Sequence, residues 1–512
     1  MLLRLAAIFF LGSLSAALAA NAAVNIDEKT CTAVMGQDFS KAVGAAVTIQ
    51  SAKLMAATPD LPGHCHVLAN IAPSVGVEVR MPAKDWTGRF LFTGCGGLCG
   101  IINSAAGDDA LLRNYAVATT DMGHKVPPSG DEREWSKDKE LVQDWLHRST
   151  HLATVLAKAV VAATYGRAQD HAFYRGCSTG GRQGLTEALM YPEDFDGIIA
   201  GAPAAQMVTP HNVFAYASNT RPDGSPILTA KAISLLGEKA IAACDMDDGL
   251  KDGIIGNPKM CAFDPASLQC EGSASDQCLT AEQVSTADKI YNGARRGDGS
   301  PFYAMGYAKG SEASWTAGFI GLNGKPPGRA GSAAFLVEAV IGPSAKLSDF
   351  DYAKHGTTGG PLGGLLDYGP DGKKLAQYKT KGGKILLYHG WSDTDATPAS
   401  SLDFHAAQAK AFGADNLPPF FRLFMLPGMA HCRGGNGVNL ADFLSAMETW
   451  VEQGTAPDKL IAYKTNFPPQ SYRPFPLKPE TVLSSRPLFP YPATAVSSGT
   501  GNAADAANWR KR

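Results

Sequence analysis

Hydrophobic and polar positions along this chain follow two rhythms, one suited to strands and one to helices. Val75, Val77 and Val79 recur at every second position, as a half-buried strand requires. Residues 89–93 read as a strand that opens into the glycine-rich stretch 94–100, and residues 115–120 read as another strand. Between positions 144 and 165 the spacing changes. Leu152, Val155, Leu156, Ala159 and Val160 recur at helical intervals and predict a core-facing helix. A short apolar run at 172–174 then gives way to a helical pattern over 183–190, closed by Pro192, and residues 196–201 resemble a buried strand. Strands alternating with helices predict an α/β fold whose sheet is mostly parallel and covered on both faces.

That rhythm stops between about 205 and 372. The segment is rich in Gly, Ala, Ser and Asp, holds four of the ten cysteines, and shows no strong alternation. It reads as a large inserted lid domain. The pattern resumes with a strand over 384–390, a helix over 401–412, a strand over 420–425 and a closing helix over 442–451. Residues 24–204 and 373–495 therefore form one core domain, and 24–90 within it look like strands and turns. The end of the chain is rich in Pro, then in Gly and Ala, which predicts a wrapped segment and a flexible tail over 496–512.

Composition narrows the class. Hydrophobic residues make up 45% and charged residues 18%, as in ordinary globular proteins. Net charge is -2, from 46 basic and 48 acidic residues, so no basic surplus points to nucleic acid or an anionic membrane as partner. Arg4, the apolar run 5–11 and the small residues Ala17 and Ala19 read as a signal peptide over 1–23, too short for a membrane anchor. The mature protein is expected to be secreted or periplasmic. In such an oxidising compartment an even cysteine count favours disulfides. Local spacing suggests Cys31–Cys65, Cys95–Cys99, Cys244–Cys261 and Cys270–Cys278, which leaves Cys177 and Cys432.

Candidate chemistry centres on Gly176-Cys177-Ser178-Thr179-Gly180, a Gly-x-Ser-x-Gly pattern at the strand-to-helix junction. Glycines on both sides permit the sharp turn that lifts a nucleophilic serine out of a sheet. Such a serine needs a base and an orienting acid, in chain order serine, acid, histidine. Asp393, just past the strand over 384–390, is the best acid, with Asp395 its competitor; His389 reads as structural. His431 follows a strand and a Pro-Gly turn, as a base swung back over the sheet does. If Cys177 and Cys432 pair, Ser178 and His431 are forced together, because bridged Cα atoms lie only about 4.4–6.8 Å apart. The oxyanion donors would be the backbone N–H of Thr179 and one from Gly96 or Gly97.

A second constellation runs from Cys244 to Ile255. Asp245, Asp248 and Asp252 offer carboxylates, and Leu250 and Ile254 offer backbone carbonyls. Hard oxygen ligands in a glycine-containing loop suit Ca²⁺ in a structural role, although the spacing is not that of an EF-hand.

On Gly176 through Arg182, His389 through Asp393, His431-Cys432 and the 245–254 loop, the chain resembles the tannase and feruloyl esterase family of secreted α/β-hydrolases. The resemblance implies an α/β-hydrolase core, a triad of Ser178, Asp393 and His431 bridged by Cys177–Cys432, and Ca²⁺ held in the lid by Asp245, Asp248, Leu250, Asp252 and Ile254. It implies a carboxylesterase acting on a small aromatic ester: a hydroxycinnamate, a gallate or a terephthalate monoester. No organic cofactor is expected. Trp315, Phe319 and Phe335 are candidates for an aromatic wall by residue type alone. The chain departs from the family at Phe489, where a cysteine is usual, and at Cys95 and Cys99, which look like a local addition. Two rivals are a peptidase with the same triad and a calcium-stabilised binding protein with a dead site.

Overall fold

A computed structural model describes residues 25–128, 134–204, 208–272, 275–295, 298–316, 337, 344–346, 349, 373–466 and 475–512. Nine strands form the central sheet: β1 (Val47–Met55), β2 (His64–Ile71), β3 (Val75–Pro82), β4 (Arg89–Thr93), β5 (Ala116–Thr120), β6 (His171–Cys177), β7 (Gly197–Gly201), β8 (Lys384–Gly390) and β9 (Phe421–Leu426). Their spatial order is β1-β2-β3-β5-β4-β6-β7-β8-β9. From β5 to β9 all neighbours run parallel, and β1, β2 and β3 add an antiparallel flank. The expected α/β-hydrolase core with a mostly parallel sheet is present.

Consecutive strand residues serve opposite faces. Phe92, Tyr174, Ile198 and Leu387 join one core with Leu156 and Val160 of the helix Ser149–Tyr165 and Leu185 of the helix Thr179–Met190. Leu91, Phe173, Ile199 and Leu386 join the other, under Leu444, Met447 and Trp450 of the helix Phe443–Gln453. This two-sided burial explains why the central strands read as continuous apolar runs.

The helix expected over 183–190 begins earlier, at Thr179, directly after the serine. Gly180 and Gly181 are poor helix formers, so local propensity hides a first turn that packing enforces. The helix expected over 401–412 begins at Pro398, with the Thr397 hydroxyl accepting from the Ala399 N–H. Proline is well suited to a first helical turn.

Strands β7 and β8 lie side by side, so residues 202–383 form an insertion between neighbouring strands. In its described part, the helices Val208–Ser218, Ala230–Cys244 and Ala281–Asn292 appear. Ile233, Leu236, Ile290, Tyr307 and Trp315 make a core separate from those of the sheet. The chain end corrects an expectation. Residues 496–512 are not a loose tail: the strand Ala495–Ser497 pairs antiparallel with the strand Trp509–Lys511, and Trp509 is buried beneath the Arg486 guanidinium, 4.0 Å from its ring centre. Composition concealed this because a single tryptophan anchors an otherwise small and polar segment.

One buried charge cluster lies between the helices that cover the sheet. Glu187, 1% exposed, lies with His151 and Asp194 so that one ligand atom from each falls within 4.8 Å of the others. His151 Nδ1 is 2.6 Å from Asp194 Oδ2, and the Lys158 ammonium donates to the Asp194 carbonyl. Burial, then repulsion from Asp194, push the Glu187 carboxyl well above the usual carboxylate range. A raised folded-state pKa means that this contribution to stability is full below the unfolded value of about 4.3 and is lost as pH rises. Glu187→Gln mimics the protonated acid. Its unfolding free energy relative to the parent should therefore increase from pH 4.5 to pH 8, by about 0.5–3 kcal/mol. Denaturant melts of both proteins at the two pH values test this, and a pH-independent difference would refute it.

Candidate active site

Strand β6 ends at Cys177, and the next residue, Ser178, has φ 63° and ψ -123°. No side chain adopts that backbone without strain, costing about 1–3 kcal/mol. The turn is tight enough to exclude other residues beside it. A Cβ on Gly176 would lie 2.6 Å from the Gly180 carbonyl carbon, and one on Gly180 would lie 2.9 Å from the Cys95 carbonyl oxygen. The Ser178 N–H donates to the Gly201 carbonyl at the end of β7 (3.0 Å), which fixes the elbow to the sheet.

The structure brings together the three side chains singled out in the sequence. The Ser178 hydroxyl lies 2.8 Å from His431 Nε2, and His431 Nδ1 lies 2.7 Å from Asp393 Oδ2. With a carboxylate accepting at Nδ1, the proton sits there and leaves Nε2 free to accept from the serine. Asp393 is fully buried just beyond β8. Burial opposes its charge, but His431 and hydrogen bonds from His389 and His431 outweigh burial and hold the carboxyl at about 2. Its other oxygen, Oδ1, accepts the N–H groups of Asp395 (2.8 Å) and Ala396 (2.9 Å). Asp395, the competing acid, thus supports Asp393 through its backbone.

His389 has a part that its position alone did not reveal. It is fully buried, its Nε2 donates to the Ala396 carbonyl (2.7 Å), and its Nδ1 accepts from Ser401 (2.7 Å). The same Nε2 lies 3.3 Å from Asp393 Oδ2, so two imidazoles flank one carboxylate. The four-residue spacing from His389 to Asp393 across a strand end was the available signal.

All ten cysteines are paired, in the five combinations considered above. Cys177–Cys432, 255 residues apart in sequence with Cα atoms 5.9 Å apart, joins the residue before Ser178 to the residue after His431. Cys95–Cys99 closes the glycine-rich loop. Gly96 and Gly97 are exposed on that loop, and the Thr179 hydroxyl donates to the Gly97 carbonyl (2.6 Å), which holds the loop against the elbow. Thr179 is the first residue of its helix, where backbone N–H groups have no intrahelical partner. The first turn of this helix and the loop that the Thr179 hydroxyl tethers therefore lie beside the elbow, where a developing oxyanion would need donors.

Of the aromatic candidates, Trp315 is misassigned. It is 0% exposed, donates to Ser311 (2.9 Å) and packs on Tyr291 and Tyr307 inside the insertion. It is core, not the wall of an open site. Phe319 and Phe335 lie outside the described residues.

The acidic loop lies in the same insertion. Asp245 accepts from the N–H groups of Asp252 (3.1 Å), Gly253 (3.0 Å) and Ile254 (3.2 Å), which curls the loop around it. Asp248 pairs with Arg486, whose Nη1 is 3.8 Å from Asp252. Burial raises both Asp248 and Asp252, the latter to about 6, with repulsion from Asp245 adding to each. The loop thus gathers three carboxylates beside one guanidinium, oxygen donors of the type that a hard divalent cation takes.

A family model described as tannase and feruloyl esterase matches residues 60–337 and 364–511. An uncharacterized esterase of Xanthomonas campestris pv. campestris is 32% identical over 501 residues, spanning 88% of this chain and 84% of the relative. A mono(2-hydroxyethyl) terephthalate hydrolase of Piscinibacter sakaiensis is 30% identical over 540 residues, spanning 90% of this chain and 86% of the relative. Among solved structures, feruloyl esterase B from Aspergillus oryzae superposes with a TM-score of 0.78 at 25% identity, over 91% of this chain and 97% of that one. The chain belongs to the tannase and feruloyl esterase family and is a carboxylic ester hydrolase.

Proposed function

We propose that this esterase is an exported enzyme that cleaves small esters of hydroxycinnamic acids, with Ser178 as nucleophile, His431 as general base and acid, and Asp393 as the orienting carboxylate. The observation that carries the reading is the hydrogen-bonded run from Ser178 through His431 to Asp393. Ser178 Oγ attacks the ester carbonyl while its proton passes to His431 Nε2, and the carbonyl oxygen becomes an oxyanion facing the N–H groups of Thr179 and of Gly96 or Gly97. Collapse of that intermediate breaks the ester C–O bond, and His431 returns the proton to the leaving alcohol. Water then attacks the acyl-enzyme, giving its proton to His431, and the acid leaves as Ser178 regains the proton. Asp393 stays ionised throughout, consistent with its low pKa.

The aromatic acyl group is inferred from the company the chain keeps: relatives named feruloyl esterase B and mono(2-hydroxyethyl) terephthalate hydrolase. Export is inferred from the N-terminal segment together with five disulfides; among the described residues no helix is long and apolar enough to cross a membrane. The deciding experiment measures kcat/KM on methyl ferulate, chlorogenate, methyl gallate and mono(2-hydroxyethyl) terephthalate. Highest values on the first two are expected. A preference for the gallate or the terephthalate would overturn the hydroxycinnamate reading and leave the esterase chemistry intact. A matched p-nitrophenyl ester and anilide test the peptidase alternative, which predicts preference for the anilide.

We also propose that the acidic loop holds a structural Ca²⁺ through the carboxylates of Asp245, Asp248 and Asp252 and the carbonyls of Leu250 and Ile254. When bound, the ion supplies charge neutralisation to a loop tied down by Cys244–Cys261. Replacing EGTA with Ca²⁺ at a hundred times its Kd should stabilise the fold by about 2.7 kcal/mol, read as a rise in Tm. Equal melting temperatures in Ca²⁺ and EGTA would remove the proposal.

A further inference from the structure

Gln183 lies five residues beyond Ser178 on the helix Thr179–Met190, 2% exposed, with its amide turned toward the glycine-rich loop rather than toward the serine. The Cys95 N–H donates to Gln183 Oε1 (3.2 Å), and the Tyr174 hydroxyl lies 3.1 Å from the same oxygen. Gln183 Nε2 sits 3.2 Å from Cys95 Sγ and 2.7 Å from Met122 Sδ, so both ends of the amide are engaged. There is no slack around these groups. A Cβ on Gly94 would fall 2.1 Å from the Tyr174 hydroxyl and 2.7 Å from Gln183 Oε1.

The loop is thus attached to the nucleophile's own helix at two points. Gln183 takes the backbone of Cys95, and the Thr179 hydroxyl takes the carbonyl of Gly97. Gly96 hangs between them, exposed, with nothing within 4 Å of where its Cβ would be. The Cys95 N–H is occupied by Gln183, so the amides that lie between the two attachments and can turn to an oxyanion are those of the exposed Gly96 and Gly97.

We propose that Gln183 is a positioning residue that sets the height of the Gly96 and Gly97 amides above Ser178, and so fixes the loop half of the oxyanion hole. The inference rests on the serine-esterase reading. Gln183 touches neither substrate nor the reacting atoms; it acts through Cys95. Its loss should therefore weaken transition-state binding and leave ground-state binding unchanged.

The test uses Gln183→Met, which keeps the length of the side chain and removes the acceptor, and Gln183→Glu, which restores an acceptor oxygen. The substrate is p-nitrophenyl acetate. Phenylboronic acid, whose tetrahedral serine adduct presents an oxygen to the oxyanion hole, is compared with benzoate, which forms no adduct. Gln183→Met should lower kcat by about 10–100-fold, below the roughly 10²–10³-fold loss typical of deleting a donor outright. The Ki of phenylboronic acid should rise by a similar factor, that of benzoate should stay within twofold, and Gln183→Glu should recover most of the loss. Unchanged kcat and boronate affinity in Gln183→Met would overturn the inference, as would equal weakening of boronate and benzoate. Should Gln183→Met fail to fold, Thr179→Val removes the other attachment and is judged by the same boronate-to-benzoate ratio. Ser178→Ala separates the two levels. If it is inactive while Gln183→Met matches the parent, only the positioning role falls; if Ser178→Ala hydrolyses the ester normally, the underlying reading falls with it.

Discussion

Ser178→Ala is expected to lower kcat for any ester substrate by about 10⁴–10⁶-fold without loss of the fold. The hydroxyl is the group hydrogen-bonded to His431, so removing it leaves the imidazole and Asp393 in place with nothing to activate. What survives is the catalysis that oxyanion donors and substrate binding give alone, roughly 10³–10⁴ over water. The fold should not suffer, since the backbone N–H of Ser178, which anchors the elbow to Gly201, is kept. Alanine at φ 63° meets the same steric strain that serine does. Two measurements check this: hydrolysis of p-nitrophenyl acetate, and labelling by a fluorophosphonate, which should modify the parent at Ser178 and leave the variant unmodified. A parent protein that folds and takes no label would favour a binding protein over an enzyme.

How far the sequence carried this site depends on the range of each signal. The elbow is local: a strand, a glycine-flanked serine and a helix are adjacent in the chain, and Ser178 is legible for that reason. His431 is 253 positions away; its place after a strand and a Pro-Gly turn singled it out, and Cys432 beside it, with Cys177 as the remaining partner, tied it to Ser178. Gln183 carries no such marker. Its partner, Cys95, is 88 residues upstream, and a glutamine inside a helical segment looks like any polar position until the loop is seen lying across it. Arg486 shows the same limit, meeting Asp248 across 238 residues and Trp509 across the final hairpin. The central sheet was legible because strands buried on both faces need unbroken apolar runs, as in 198–200 and 385–387. The insertion was legible only as an interruption. Its core is assembled by helices whose residues are small and mixed, so Trp315 could be named as aromatic without its burial being foreseen.

Cys177→Ala/Cys432→Ala should cost more in activity than its effect on stability would suggest. Chain entropy attributes up to roughly 5 kcal/mol to closing so long a loop, which should appear as a clear drop in Tm. The catalytic cost has a separate origin. Ser178 and Cys432 both occupy left-handed backbone, φ 63° and φ 64°, and each is bonded directly to, or is itself, an end of the bridge. Strained conformations persist only where their surroundings over-determine them. The sulfur bridge is the covalent part of those surroundings, and it sets the separation of the two segments that carry the nucleophile and the base. A displacement of about 1 Å between reacting groups can cost on the order of 10²-fold in rate. The double variant should therefore lose at least about 10²-fold in kcat when assayed well below its own Tm, where it is still folded by circular dichroism. Alanine at both positions avoids leaving a free thiol beside the site. If the folded double variant hydrolyses p-nitrophenyl acetate at the parental rate, the hydrogen bonds from His431 to Ser178 and Asp393 suffice to align the site, and the bridge serves stability alone.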